Sequence, residues 1–533
     1  LKLVGVAIAR AGAAPTFAGG LLTNTNQHVA FNRMMSREAS IGIDGVYYNP
    51  AGVVFMGEGH HLAINWQLAY QTRTINNDYK LFTNNVNNPI TPRDFKGKAF
   101  APVIPSFQYA YNKGKWSFQA NFALTGGGGK CTFDDGLGSF EKIVSETAIA
   151  ACGLAGVVDQ TLGNTLGQQG MEMFTSDQAF GKTGKYSFNS YMHGRQYYYG
   201  LSVGAAYKFC DNFSAFLGVR GVYALTNYYG YVENINVGNM PLYKVLDPTK
   251  ENAANIELSC DQTGVGFTPI IGVDYKTGRW NFSAKYEFKT RIRLKNKSVN
   301  QTPSIGNLPA NLANQMTGIL TAKYQQAGLP LEQAKQQAEN TTNTVLSDPK
   351  VGATMMGLKT QFDQKLNKAI GEYEDGKKIA GDIPGYLALG IGYSPVDAVR
   401  VNVGFHWFDD KNATSYNNRN KELKRGTLEY NAGVEVDVNK KITLSTGWQN
   451  TNYGLSDEYM DDKSFVVGSN SAAIGGVYHI NKKMDLNVAY FHTFYQHKKT
   501  SETVQLAADK SIVYNSDYTR NNNVFAVGLD INF

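Results

Sequence analysis

The chain has 533 residues, a formal net charge of +7 and 18% charged against 12% aromatic residues, with 55 glycines, 32 tyrosines and 28 phenylalanines. That balance fits many strands with interfacial Tyr and Phe better than it fits an α/β enzyme. No stretch approaches the roughly 18 consecutive apolar residues of a transmembrane helix, and Lys and Arg are scattered among acids rather than gathered in a run that would bind nucleic acid.

Residues 1–18 read as a signal-peptide remnant. Lys2 is a short basic start, Leu3–Ala9 an apolar run, and Thr16-Phe17-Ala18 a small-residue cleavage pattern, so the mature start is expected near Gly19. Residues 19–59 show no strand pattern and are rich in Gly, Asn and Ser. From residue 60 onward, alternating segments recur at about 60–70, 104–112, 115–125, 197–208, 213–225, 262–276, 279–291, 385–394, 398–408, 427–437, 440–449, 471–480, 484–495 and 522–533. These are fourteen segments, most near the ten or so residues that a tilted strand needs to cross a bilayer.

The connections alternate. Short turns such as Asn112-Lys-Gly-Lys115, Lys276-Thr-Gly-Arg279 and Ser394-Pro-Val-Asp397 follow the even segments, with the Gly, Asn, Asp and Pro of tight hairpins. Long loops, about 71–103, 126–196, 226–261, 292–384, 409–426, 450–470 and 496–521, follow the odd ones. This is the topology of an outer-membrane barrel, with short periplasmic turns and long external loops. Two loops, about 126–196 and 292–384, carry apolar residues at helical spacing. These helices read either as lids packing on one another or as an external apolar capture groove.

The faces follow from period two. Arg400, Asn402, Gly404 and His406 are assigned to the lumen, and Val401, Val403, Phe405 and Trp407 to lipid. Thr443, Ser445 and Gln449 face in, opposite Ile442, Leu444 and Trp448. Phe216, Gly218 and Arg220 face in on the fifth segment; Lys285, Glu287 and Lys289 do so on the seventh. The closing segment Val524–Phe533 alternates strictly and ends on an aromatic, as a lipid-facing strand that closes a sheet does. Cys131, Cys152, Cys210 and Cys260 have no metal-ligand spacing; Cys131 and Cys152 are either a disulfide in one external loop or free thiols. His60, His61, His406, Asp409 and Asp410 show no Ser/His/Asp spacing, so no enzyme is expected. The expected fold is all-β: a 14-stranded antiparallel transmembrane β-barrel over 60–533, with residues 19–59 as an N-terminal hatch filling the lumen, and helical extracellular loop insertions.

Within 19–59 stands Ser40-Ile-Gly-Ile-Asp-Gly-Val-Tyr-Tyr-Asn-Pro-Ala-Gly52, and Asp382-Ile-Pro-Gly-Tyr-Leu-Ala-Leu-Gly-Ile-Gly-Tyr-Ser-Pro395 lies further on. With Thr268–Tyr275 and Asn281–Tyr286, these resemble the FadL/TodX family of outer-membrane transporters for long-chain fatty acids and other hydrophobic compounds. The resemblance covers nearly the whole mature chain, and Asn49, Pro50, Ala51 and Gly52 match the family's hatch motif. It implies external capture, a lumen pocket and sideways release at a kinked third strand. Asn121, Phe122, Thr125, Gly126 and Gly127 are then the lateral-gate candidates, and Gly126–Gly129 either breaks the ladder or is a flexible loop entry. Nothing matches the family's ligand-contacting cations one for one. By inward parity Arg220 and Lys285, with Phe216, are the substrate-binding candidates; the other reading of the two cations is a lumen-wall ion network with Glu287.

No cofactor, metal or nucleic acid is expected. Expected partners are hydrophobic small molecules (fatty acids, lipids or detergent in the lumen), outer-membrane lipid and the barrel-assembly machinery, with the protein a monomer in a Gram-negative cell outer membrane. The alternatives are a general diffusion porin, or a family relative serving protein secretion or lipid-anchored protein shuttling.

Overall fold

The computed structural model describes residues 21–168, 170–303, 306–507 and 510–533. The signal-peptide segment 1–18 lies outside the described residues. Fourteen antiparallel strands close on themselves. They are β1 (Gly59–Tyr79), β2 (Arg93–Lys113), β3 (Trp116–Phe133), β4 (Tyr186–Cys210), β5 (Phe213–Val237), β6 (Ile256–Thr277), β7 (Trp280–Glu287 and Arg293–Gln301) and β8 (Lys378–Ala380 and Tyr386–Val396). Then follow β9 (Val399–Phe408), β10 (Thr427–Asn439), β11 (Ile442–Asn452), β12 (Ser469–Asn481), β13 (Met484–Tyr495 and Lys498–Ala507) and β14 (Lys510–Asn532). The two halves of β7 both pair with β6, and those of β13 both pair with β14, so each is one interrupted strand.

The closing strand sits on the first in a long register, from His61↔Asn532 to Tyr79↔Tyr514. Phe533 and His60 exchange both backbone hydrogen bonds, N→O at 2.9 and 3.1 Å. Closure leaves no sheet edge, which is what lets a sheet stand in hydrocarbon. The assigned faces are observed: Val401, Val403, Leu444 and Trp448 are exposed outside, and Asn402, His406, Thr443 and Gln449 are buried inside. Trp116, Tyr207, Trp280, Tyr393 and Phe533 ring the short-turn end, as interfacial aromatics do.

Several strands run well past the expected ends. β1 continues to Tyr79, β2 starts at Arg93, β5 reaches Val237 and β14 starts at Lys510. Much of the loops expected at 71–103, 226–261 and 496–521 is therefore strand. Beyond the bilayer both faces meet water or protein, so Thr72, Thr74, Asn76 and Asp78 carry no apolar alternation to read.

Residues 21–58 lie in the lumen. α1 (Val29–Met34) is capped by His28, whose Nδ1 accepts from Ala30 N at 2.9 Å, and stops at Met35, held at φ +61°. α2 (Gly45–Tyr48) precedes a 3-10 turn at Gly52–Phe55. Above the other end, α3 (Gly138–Leu166) stands between β3 and β4, α4 (Tyr243–Leu246) between β5 and β6, and α5 (Leu308–Gln326), α6 (Leu331–Leu346) and α7 (Pro349–Ile370) between β7 and β8. By length and composition α3 is a helix that could cross a membrane, contrary to the run-based expectation, yet half of that window is buried in the protein. Its Val144, Leu154, Val158 and Leu162 share one core with Leu312, Met316, Ala338 and Val351 of α5–α7.

Candidate functional site

Between β2 and β3 the ladder is broken. Pairing runs to Phe100↔Lys130 and resumes at Ser106↔Ala123, so Ala101–Pro105 and Leu124–Gly129 have no partner across this seam. Two features of the chain cause this. Pro102 and Pro105 have no N–H to donate. Gly127 at φ +70° and Gly128 at φ +127° take backbone conformations that a side chain resists. On its other side β3 still pairs with β4, with shifts at Leu124/Gly126 and Gly127/Gly129.

The lumen segment fills this break from within. Asn24 Nδ2 donates to the carbonyls of Leu124 (3.2 Å) and Gly127 (2.7 Å), and Asn24 N donates to Thr125 O (2.9 Å). A Cβ on Gly126 would stand 2.3 Å from Leu22 O. Asn121 faces inward, donating to Gln27 Oε1 at 3.0 Å and accepting from Gln108 at 2.9 Å. Thr125 donates its hydroxyl to Tyr198 O. Phe122 points outward between Phe107 and Tyr199. The five gate candidates thus border one interruption, and Pro102 and Pro105 complete it. The prolines are a readable signal, but Pro102 stands in the stretch 71–103 that reads as loop and Pro105 in the segment 104–112 that reads as strand.

Asn49, Pro50, Ala51 and Gly52 stitch the segment to the wall near the short-turn end. Asn49 Oδ1 accepts from Gly52 N (3.1 Å) and its Nδ2 donates to Asp274 (2.6 Å). A Cβ on Gly52 would stand 2.3 Å from Asn49 Nδ2, so the tight turn needs glycine. Gln119 donates to Pro50 O and Ser214 to Ala51 O, both at 2.7 Å. Phe216 packs here, against Ala51, Val54 and Ile270.

Arg220 and Lys285 meet at Glu287. Arg220 Nη2 pairs with one carboxylate oxygen, and Lys285 Nζ lies 3.0 Å from the other. Lys285 also donates to Tyr47 O at 2.6 Å and sits 3.9 Å from the Tyr47 ring. All three are buried, so this cluster joins the wall to the lumen segment. Two further charged clusters do the same: Arg33 pairs with Glu435, and His406 stands between Glu38 (2.7 Å) and Glu429 (2.8 Å).

A second pair of cations, not foreseen, lies higher. Arg73 and Arg520 are Cα partners on β1 and β14, both buried, and share Gln71 Oε1 at 3.2 and 2.7 Å. Both fell in stretches read as loop, so inward parity was never applied to them. Over them folds the β11–β12 loop, whose buried Phe465 and Val467 pack with Ile75, Phe133, Leu137 and Tyr518. Phe465 lies 5.9 Å from Arg73.

Outside, α3, α4, α5 and α7 enclose an apolar cavity of about 90 Å³, lined by Ala151, Leu154, Leu246, Leu312, Leu358 and Phe362 among others. The helices therefore both pack together and leave a groove. Phe140 packs on this helical core and on the Phe465 cluster, so apolar contact is continuous from groove to lumen mouth. The four cysteines are free thiols, Cys131 and Cys152 included. Among the described residues no group of His, Cys, Asp and Glu is placed to hold a metal ion.

A closed fourteen-stranded barrel is a fold that solved structures share. A Pseudomonas aeruginosa FadL homologue matches 97% of this chain and 100% of its own, at 14% identity and a TM-score of 0.57. A TodX deltaS2S3 mutant, described as a monoaromatic hydrocarbon channel, matches 95% and 98% at 13% identity and a TM-score of 0.50. These likenesses establish the fold. No family model and no curated protein matches the chain.

Proposed function

We propose that the chain is a member of the FadL/TodX family, a non-enzymatic Gram-negative outer-membrane channel that takes up hydrophobic molecules, long-chain fatty acids foremost. The observation that carries this reading is the broken ladder between β2 and β3, in a barrel whose straight path is filled by residues 21–58. A hydrophobe gains roughly 0.8 kcal/mol per buried CH₂, so an exit through the wall into the bilayer avoids an aqueous step. Capture falls to the groove by Leu154 and Leu312, and transfer follows Phe140 toward the lumen. There the acid headgroup faces Arg73 and Arg520, below the Phe465 cap. Arg220 and Lys285 hold the hatch in the resting state and become carboxylate partners once Tyr47 moves away. Asn49–Gly52 anchors the hatch, and release passes Asn121, Phe122, Thr125, Gly126 and Gly127 into the membrane. The barrel-assembly machinery inserts the barrel, and the protein acts as a monomer.

The test is uptake of a radiolabelled long-chain fatty acid by cells with and without the protein, together with single-channel conductance of the purified protein. Saturable uptake with small, rare currents is expected. Large steady currents from the intact protein, with no uptake above background, would make it a diffusion porin.

A further inference from the structure

The outward wall of β2, β3 and β4 changes character within one residue pair. Up to Tyr197, Tyr199 and Leu201 it is aromatic and apolar. One position higher, Lys130 on β3 and Arg195 on β4 are direct Cα partners, and Phe100 on β2 is the partner of Lys130 on its other side. Both charged side chains point away from the lumen, since their chain neighbours Cys131 and Gln196 are buried within it. Lys98, two residues beyond Phe100, is exposed on the same face. Like charges opposite one another on a sheet repel. Among the described residues none of the three forms an ion pair with a carboxylate, and Arg195 Nε has no hydrogen-bond partner. The row continues to Asn227 on β5, which donates to Asp261 on β6 at 2.8 Å, so an amide and a carboxylate separate these three cations from Lys297 on β7, the next residue in the row.

We infer that Lys98, Lys130 and Arg195 form a binding site for the phosphorylated diglucosamine headgroup of an outer-leaflet glycolipid of the lipid A type. The inference rests on the outer-membrane reading above. Two cations at one level with a third two residues further along β2 neutralise a phosphate headgroup, and charge-assisted hydrogen bonds to phosphate are among the stronger polar contacts a protein surface makes. The apolar belt directly beneath gives the acyl chains a wall at Val103, Phe107, Phe122, Leu201 and Val203. A lipid of this type combines two phosphates with several chains hanging from one headgroup, which is what a basic cluster seated on an apolar wall fits. The site lies immediately above the interruption between β2 and β3, so its occupant borders the proposed exit.

The test uses the full chain in detergent and native mass spectrometry with bisphosphorylated lipid A, monophosphoryl lipid A and inorganic phosphate as separate probes. K98Q/K130Q/R195Q is expected to weaken bisphosphorylated lipid A binding about tenfold or more, as loss of charge-assisted contacts implies. Lys295→Gln with Lys297→Gln, on the β7 wall, is expected to leave binding unchanged. Monophosphoryl lipid A is expected to bind more weakly, and inorganic phosphate not to compete. If the triple variant lacks heat-modifiable migration, Arg195→Gln alone carries the test. Unchanged binding in the folded variant, or equal competition by inorganic phosphate, overturns the site. Absence of the wild type from the outer-membrane fraction overturns instead the reading on which it rests.

Discussion

Asn24 holds Gly127. Its side-chain amide donates to the Gly127 carbonyl at 2.7 Å and to Leu124 O at 3.2 Å, so the lumen segment supplies the donors that β2, with Pro102 and Pro105, does not. The interruption in the wall and the start of the lumen segment are one structural unit.

Asn24→Ala removes both side-chain bonds from a buried place. A loss of roughly 1–3 kcal/mol of local stability is expected. Hydrogen exchange of residues 124–129 and 22–28 is expected to speed up while the rest of β3 keeps its protection. Equal exchange at 124–129 would mean that the segment holds its shape without Asn24.

His406 lies between Glu38 of the lumen segment and Glu429 of β10, wholly buried. His406→Ala takes away the donor that the two carboxylates share, and breaking a buried pair in this way costs about 3–5 kcal/mol. The cost is expected to fall on the hatch rather than on the ladder. Planar-bilayer recordings are expected to show larger and more frequent openings, with heat-modifiable migration intact. Wild-type conductance would contradict a latch at this position.

Asp462 sits in the β11–β12 loop, where its carboxylate accepts from Ser139 N at the start of α3 (2.8 Å). Burial pushes its pKa up to about 6, the Asp461 charge adds to this, and Lys463 opposes it. The folded value thus lies above the ordinary 3.8. The stabilising contribution is present in full below pH 4 and is lost as pH rises through about 6. Protection of residues 460–467, taken relative to the intrinsic exchange rate at each pH, is expected to be higher at pH 5 than at pH 7.5, and Asp462→Asn to abolish the difference. A cap that loosens on acidification would refute the assignment.

Leu312→Glu puts a charge into the apolar groove beside Leu154 and Leu246. An unpaired charge is poorly tolerated in such a place. Half-saturation of uptake is expected to rise several-fold, with the maximal rate little changed, if the groove captures substrate. A fall in maximal rate alone would point to a lid.

The strand count, the faces and the seam were readable because lipid outside and a polar lumen inside impose a strict period of two; Val401 against Asn402 and Leu444 against Ser445 show it. The same rule failed above the bilayer, which hid Arg73 and Arg520 in supposed loops. Gly126–Gly129 signalled a weak place in β3, but the break also needed Pro102 and Pro105, 21 or more residues away in the chain and adjacent only once β2 and β3 pair. Arg220 and Lys285 were correctly turned inward. Their ion network with Glu287 was one of the two readings the sequence offered, whereas the contact of Lys285 with Tyr47 follows from the path of the lumen segment, which no periodicity encodes.

The most direct test of the account is fatty-acid uptake by G127V/G128V. β-Branched residues resist the positive φ at these two positions and favour extended strand, so the variant is expected to straighten β3 and close the interruption. At equal outer-membrane abundance and with heat-modifiable migration retained, uptake is predicted to fall about tenfold or more, as closing a required path implies. Wild-type uptake by a folded variant would contradict exit through the wall.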